Sequence, residues 1–333
     1  MHPEVVSSLS GLRLVVLGDL VADVYLHGTT RRISREAPVL IVQEEHRELR
    51  PGGAANAAAN IRSLGGIPLP VGLLGDDEEG RGVLEHFERS GVDTAGILLQ
   101  SDRLTTTKTR VLGGGANTVR QQMLRIDRLN PALPAAGSLE TLCERLRELL
   151  GSACGLVVSD YGEGVVQGPV FDRVLELARK GARVFVDSRH RVALYRGVEA
   201  VTPNEPELAA ATGRELRDRD ALESAASCLL RETGCRRALV KRGRHGLALF
   251  EPERPSEWLA AHGPVEVADV TGAGDTVLAA FSLACCAGLE PQQAARIANT
   301  AGGIKVSKMG SAAVTAEELR RGLAAQPEEG SRA

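Results

Sequence analysis

The sequence predicts an α/β fold: a mostly parallel central sheet, helices on both of its faces, and a small β lid. Three observations carry this expectation. Short apolar runs recur without polar alternation, as strands covered on both faces require. Segments with helical period separate them, the strand–helix alternation of parallel sheets. Two extended stretches, 24–49 and 105–127, interrupt that alternation with β-type sequence.

The elements follow in chain order. "LRLVVLG" (12–18) is the first core strand, and Asp19 and Asp23 stand just beyond it. "VYLHGTTRRISREAPVLIVQEEHREL" (24–49) is extended, with mixed charge and Pro38. "RPGGAANAAANIRSLGG" (50–66) opens with Gly52 and Gly53 and then reads as a helix. Asn56 and Asn60 share one face of it at i,i+4 spacing. Two poor helix formers set among alanines are polar groups aimed at a ligand or at the local backbone. "LPVGLLG" (69–75) is the next core strand, and "TTTKTRVLGGGANTVRQQMLRID" (105–127) reads as two strands joined at "GGGAN". Helical period over 138–150 precedes the strand "GLVVSD" (155–160), which ends in Asp160. A helix over 168–180 leads to "ARVFVD" (182–187), ending in Asp187, and then to "VEAVT" (198–202). "VTPNEPEL" (201–208) supplies Asn204, Glu205 and Glu207 at a strand end, hard oxygen groups of the kind that organise water around Mg²⁺. They read equally as the acidic first turn of a helix over 205–212. A helix over 219–232 and the strand "RALVK" (237–241) follow.

"DVTGAGDTVLAAF" (269–281) is a glycine turn running into a helix. Its amides at 272–275 form an anion site at a helix N-terminus. Asp275 falls in the first turn, where the dipole favours a carboxylate and lowers its pKa. A plain turn and cap account for the same residues. Asp19, Asp23, Asp160 and Asp187 line the carboxyl ends of strands, where open α/β sheets bind ligands.

The two extended stretches are expected to assemble into one lid. An antiparallel extension of the core sheet is the other reading. No repeat or linker divides the chain, so one domain is expected over 1–328, with a frayed tail at 329–333.

Composition narrows the function. Net charge is −3 and aromatics are 3% of 333 residues, against a nucleic-acid or anionic-membrane partner. The six cysteines show no CxxC spacing, and no apolar run spans a bilayer, so a cytoplasmic protein with reduced thiols is expected. There is no GxxxxGK[ST], GxGxxG after a strand, HExxH or GxSxG.

"GGAANAAANIRSLG", "TPNEPE" and "DVTGAGDTVLAAF" together resemble the ribokinase-type (PfkB) sugar kinases over roughly 12–320. The resemblance implies a ribokinase-like fold and transfer of phosphate from ATP to a sugar. It gives Asp275 the role of general base and the amides of Gly272, Ala273 and Gly274 that of an anion hole. Asn204 and Glu207 would organise Mg²⁺ and the ATP phosphates. Lys241, Gly243, Gly246 and Asn299 resemble nucleotide-side positions. Asp269 and Thr271, with the loop "KMGS" (308–311), would neighbour a monovalent cation such as K⁺.

"GDLVADVYLHGTTRRISREAPVLIVQ", "LRPGGAAN", "SDYGEGVV" and "LYRGVEAVTPNEPE" are similar to the heptose 7-phosphate kinases of the ADP-heptose pathway, a route toward lipopolysaccharide. That likeness implies sugar contacts from Asp19, Asp23, Gly52, Gly53, Asn56 and Asp160. A substrate phosphate would be gripped by cations among Arg31, Arg32, Arg35, Arg110 and Arg120. It implies a homodimer through the lid, and a separate nucleotidyltransferase, since no HxGH motif is present. Three departures stand out: Arg35 where the pattern has Pro, Arg189 in "VDSRHR" where it has Lys, and Val270 where Thr is frequent.

Overall fold

The computed structural model describes residues 3–115, 120–130, 133–263 and 268–325. The first half contains β1 (Arg13–Gly18), β2 (Leu20–Ile33), β3 (Leu40–Gly53), α1 (Ala54–Ser63), β4 (Ile67–Gly75), α2 (Glu78–Arg89) and β5 (Ile97–Gln100). Then come β6 (Thr106–Gly113), β7 (Gln121–Arg128), α3 (Ala136–Leu150), β8 (Gly155–Asp160), α4 (Gly168–Arg179) and β9 (Val184–Ser188). The chain continues through β10 (Ala200–Val201), α5 (Glu205–Thr212), α6 (Arg219–Thr233), β11 (Ala238–Lys241), β12 (Leu247–Phe250) and β13 (Glu257–Leu259). Last are α7 (Ala273–Cys286), α8 (Pro291–Val306) and α9 (Ala316–Ala324).

Nine strands make the core sheet, in the order β13-β12-β11-β10-β9-β8-β1-β4-β5. Neighbours from β11 to β5 are parallel, while β12 and β13 turn antiparallel at one edge. Successive residues of β1 enter opposite cores. Leu14 and Val16 pack with α1, α7, α8 and α9, whereas Val15 and Leu17 pack with α3, α4 and α6. This two-sided burial is why the core strands read as unbroken apolar runs.

The extended stretches form a separate four-stranded sheet, β3-β2-β6-β7, and not an extension of the core sheet. Its two sequence segments meet through a parallel β2–β6 pairing from Val21↔Thr106 to His27↔Leu112. Only Asp19 separates β1 from β2, and β3 runs directly into α1. The small sheet is therefore rooted where the core strands end. Gly18 makes that root close enough: a Cβ there would fall 2.0 Å from the Ser159 carbonyl oxygen.

Predicted and observed elements coincide closely over β1, β8, α3, α4, α5 and α6. The strand expected at 198–202 shortens to Ala200–Val201, and at its C-terminal side Pro203 has no N–H to continue the ladder. Patterning does not distinguish β5, β12 and β13, which are short strands at or next to the sheet edges. The turn expected around 113–117 and the frayed tail fall partly or wholly outside the described residues. Among the described residues, no helix is long and apolar enough to cross a membrane.

Candidate active site

α7 starts at a glycine in the left-handed region: Gly272 has φ 75° and caps the helix without a side-chain bond. A Cβ on Gly272 would lie 2.4 Å from Asn56 Nδ2. Ala273 N–H turns back to the Val270 carbonyl at 3.2 Å. The N–H groups of Gly272, Gly274 and Asp275 have no acceptor among the described residues. The helix start thus offers unsatisfied donors at the positive end of its dipole. Of the three amides expected to form the hole, Ala273 is the one already engaged.

Asp275 lies in the first turn of α7 and is only 2% exposed. Asn56 Nδ2 donates to its Oδ2 at 2.8 Å, and the Tyr161 hydroxyl donates to its Oδ1 at 3.0 Å. Its pKa is pushed up to about 7, chiefly by burial and further by the charge of Asp187, against the pull of the Asn56 and Tyr161 hydrogen bonds. The sequence reading expected a lowered pKa, and the structure corrects it. A helix dipole is worth about 1 kcal/mol, and desolvation of a buried carboxylate exceeds that.

Asn56 is held in turn by its helix neighbour. Asn60 Nδ2 donates to Asn56 Oδ1 at 3.0 Å, and the Thr276 hydroxyl donates to Asn60 Oδ1 at 3.0 Å. The i,i+4 pair on α1 therefore orients the carboxylate on α7.

The strand-end acids divide by partner. Asp19 accepts from the N–H groups of Tyr161, Glu163 and Val165 at 2.8–3.1 Å, and burial raises its pKa to about 6. Asp160 accepts from Ser188, Tyr195 and Arg191 side chains at 2.7–2.8 Å. Both carboxylates pin the 160–165 loop that carries Tyr161. Asp23 takes Arg110 at 2.7 Å and the Ser311 hydroxyl at 3.0 Å. Gly52 allows this, since a Cβ there would sit 2.9 Å from Asp23 Oδ2. Gly53 similarly packs on the Asp19 carbonyl, 2.5 Å from where a Cβ would stand.

On the other side of Gly274 stands an ion pair. Lys241 Nζ donates to both oxygens of Asp187 at 2.6 and 2.8 Å. A Cβ on Gly274 would come 3.3 Å from that ammonium. Asn204 and Glu207 form a reciprocal capping box on α5, each accepting a 2.8 Å bond from the other's backbone. Glu207 has its pKa raised by burial and by Asp187, opposed by Lys241. Asn204 also bridges Lys241, so these three predicted residues meet. Gly243 and Gly246 shape the turn after β11, and Gly246 packs on the Leu259 carbonyl. Asn299 donates to the Ala260 carbonyl at 2.7 Å. Asp269 accepts from the N–H groups of Thr271 at 2.8 Å and Gly310 at 2.9 Å, tying two loops together.

The expected phosphate grips fare differently. Arg110 is paired with Asp23, and Arg120 with Glu45 out on the lid. Arg32 and Arg35 are exposed, and the Arg31 side chain lies outside what the structure describes. Two cations that the sequence leaves without this role, Lys108 and Arg189, stand beside Tyr161 and Asp160. Lys108 Nζ lies 4.8 Å from the centre of the Tyr161 ring, and it is near enough to Arg189 to feel its charge. Burial first, and Arg189 next, lower the Lys108 pKa, opposed by Asp23 and Glu163. Neither cation has an ion-pair partner among the described residues. An anion between them would relieve their repulsion. Tyr161 was also missed as an Asp275 partner, although it directly follows the strand-end Asp160.

A family model described as pfkB family carbohydrate kinase matches residues 12–318. "Bifunctional protein HldE" of Desulfatibacillum aliphaticivorans is 35% identical over 98% of this chain and 66% of its own length. The protein of that name from Alkalilimnicola ehrlichii is 40% identical, over 96% of this chain and 65% of its own. The chain thus spans just under two thirds of these curated relatives. Arabidopsis thaliana ribokinase, solved with ribose and ATP, superposes with a TM-score of 0.72 at 22% identity, covering 94% of this chain and 99% of its own. Escherichia coli phosphofructokinase-2, solved with potassium, gives 0.75 at 20% identity, covering 95% and 98%. Those two structures share the fold.

Proposed function

Because the chain belongs to the pfkB family of carbohydrate kinases, we propose that it transfers the γ-phosphoryl group of ATP to the anomeric hydroxyl of D-glycero-D-manno-heptose 7-phosphate. The observation that carries the chemistry is the buried Asp275, poised near neutral pKa and aimed by Asn56 and Tyr161 beside the free amides of Gly272 and Gly274. A base with a pKa near working pH combines a populated basic form with enough affinity for the proton. The heptose assignment is supported by 35–40% identity to the HldE proteins along nearly the whole chain.

The sugar would enter under the small sheet with its anomeric hydroxyl at Asp275, which accepts the proton as the phosphoryl group moves. The amides of Gly272 and Gly274 and the Lys241 ammonium would meet charge building on the transferred group. Asp19, Asp160, Gly52 and Gly53 build the floor, and Asp23 faces the sugar with Arg110 behind it. Lys108 and Arg189 suit the phosphate at the far end of the heptose. Magnesium would balance the ATP phosphates beside Asn204 and Glu207, where the Glu207 carboxylate keeps one oxygen without a protein hydrogen bond among the described residues. Closure of the β3-β2-β6-β7 sheet would exclude water from the transfer. Six free thiols suit a cytoplasmic setting.

Heptose 7-phosphate, fructose 1-phosphate, fructose 6-phosphate, ribose and nucleosides should be compared by ADP release. The heptose phosphate should lead in kcat/KM by about 10²-fold or more. Lys108→Gln should raise KM for that substrate roughly tenfold and leave the KM for ATP in place. Equal rates on all the phosphorylated sugars would remove the heptose assignment and leave a kinase of another sugar.

A further inference from the structure

Lys305 has no role in the chemistry above, yet it is fully buried, in the last turn of α8. A buried ammonium is costly unless the surroundings answer it. Its Nζ donates to the Gly310 carbonyl at 2.6 Å. The N–H of the same Gly310 donates to Asp269 Oδ2 at 2.9 Å, and Asp269 Oδ1 receives Thr271 N–H at 2.8 Å. The ammonium also feels the attraction of Asp269 and, more weakly, of Asp275, against the repulsion of Arg50 and Lys308. It therefore sits between the 307–311 loop and the 269–272 turn that opens α7.

These are the two loops between which the family resemblance implies a monovalent cation, and the residues present do not fit one. A potassium ion needs oxygens turned toward it and no like charge among them. Here an ammonium already takes the Gly310 carbonyl and faces Asp269. Two unit charges about 4 Å apart at a semi-buried site repel strongly enough to weaken cation binding by about 10³-fold.

We propose that the Lys305 ammonium is a tethered substitute for that cation, fixing the turn that carries Gly272 and Gly274 so that the kinase works without potassium. Lys305 is a positioning residue, since it acts through the Gly310–Asp269 link and not on substrate. The alternative is a lysine that merely closes the α8 C-terminus. The inference rests on reading the 269–275 turn as the anion hole, so its test includes a measurement made without any sugar.

The full chain should be melted in choline chloride and in KCl, each at about 0.1 M to match screening. Wild type should melt at the same temperature in both. Lys305→Met should melt lower in choline and recover in KCl, with NaCl less effective. Sugar-dependent ADP release should follow the same pattern: wild type changes less than about twofold with potassium, and Lys305→Met loses about tenfold and regains it in KCl. A potassium-specific rise in wild-type melting temperature or rate overturns the proposal, whether or not the variant folds. A folded Lys305→Met that ignores potassium in both assays also overturns it, assigning Lys305 to helix closure. If no sugar in the panel is phosphorylated, the melting comparison still decides the role of Lys305.

Discussion

At the scale of single residues the outcome turns on burial. The type and place of Asp275 are legible in "DVTGAGD", but its pKa is not, because that depends on what α1 and the 160–165 loop lay over it. Tyr161 and Lys108 escaped assignment for the same reason: their roles arise from contacts between segments distant in sequence. Asp275→Asn should lower turnover by about 10²- to 10⁴-fold, the usual worth of a general base. In wild type, kcat/KM should fall as pH drops through about 7, because a protonated Asp275 cannot accept the hydroxyl proton. The stability consequence has a definite sign. The folded pKa is raised from the ordinary 3.8 to about 7, so the native state binds the extra proton between those values. Stability therefore declines as pH rises through that window, and the full cost stands above it. Asp275→Asn removes the cost, so melting curves at pH about 5 and about 8 should show the variant gaining on wild type at the higher pH. A variant that instead loses ground at the higher pH would refute the buried-charge account.

At the scale of elements, strands flanked by apolar cores were readable because their sequence is uniform over the whole run, as in β1 and β8. The short strands β5, β12 and β13 were not, since only three or four residues and their neighbours' hydrogen bonds define them. The start of α7 was readable from its glycines, and the structure adds why Gly272 is needed. It has φ 75°, and a Cβ would strike Asn56 Nδ2 at 2.4 Å. Asn56 has little room to yield, being held by Asn60 and Asp275. Gly272→Ala should therefore cost about 1–3 kcal/mol in stability and lower kcat at least about tenfold by turning Asn56 off the carboxylate. Gly288→Ala is the matched control, with φ 81° and nothing within 4 Å of the added Cβ. Urea unfolding and steady-state kinetics on both should show a stability loss in each and a kcat loss in Gly272→Ala alone. Equal kcat values would mean that the glycine serves the turn and not the base.

At the scale of the whole molecule, the small sheet is the part with the most exposed apolar strand. Its strand content was readable, but the β3-β2-β6-β7 order was not, because the parallel β2–β6 pairing joins segments far apart in the chain. The core sheet is covered on both sides, whereas β7 is exposed along nearly its whole length. Leu124 and Ile126 on β7 are 56% and 52% exposed, and Ile33 and Leu40 at the distal ends of β2 and β3 are 62% and 50% exposed. Alternation puts Leu124 and Ile126 on the face opposite Arg125, the β7 neighbour of Arg110. The apolar pair therefore faces away from the side on which Arg110 meets Asp23. Leu124 and Ile126 give β7 an exposed apolar outer face, and a second copy of the same sheet would be a self-complementary partner for it. A homodimer through this sheet would give each lid a covered outer face and a stiffer hinge. The double substitution Leu124→Asp with Ile126→Asp places charge in such an interface without touching the residues at Asp275. Sedimentation equilibrium should show wild type as a dimer and the variant as a monomer, with the dimer's Kd raised to at least the micromolar range. If closure depends on the paired lid, the monomer should keep its ATP affinity and lose sugar affinity and kcat together. A variant that stays dimeric would place the interface elsewhere on the molecule. A wild type that sediments as a monomer would leave the apolar outer face without its proposed partner.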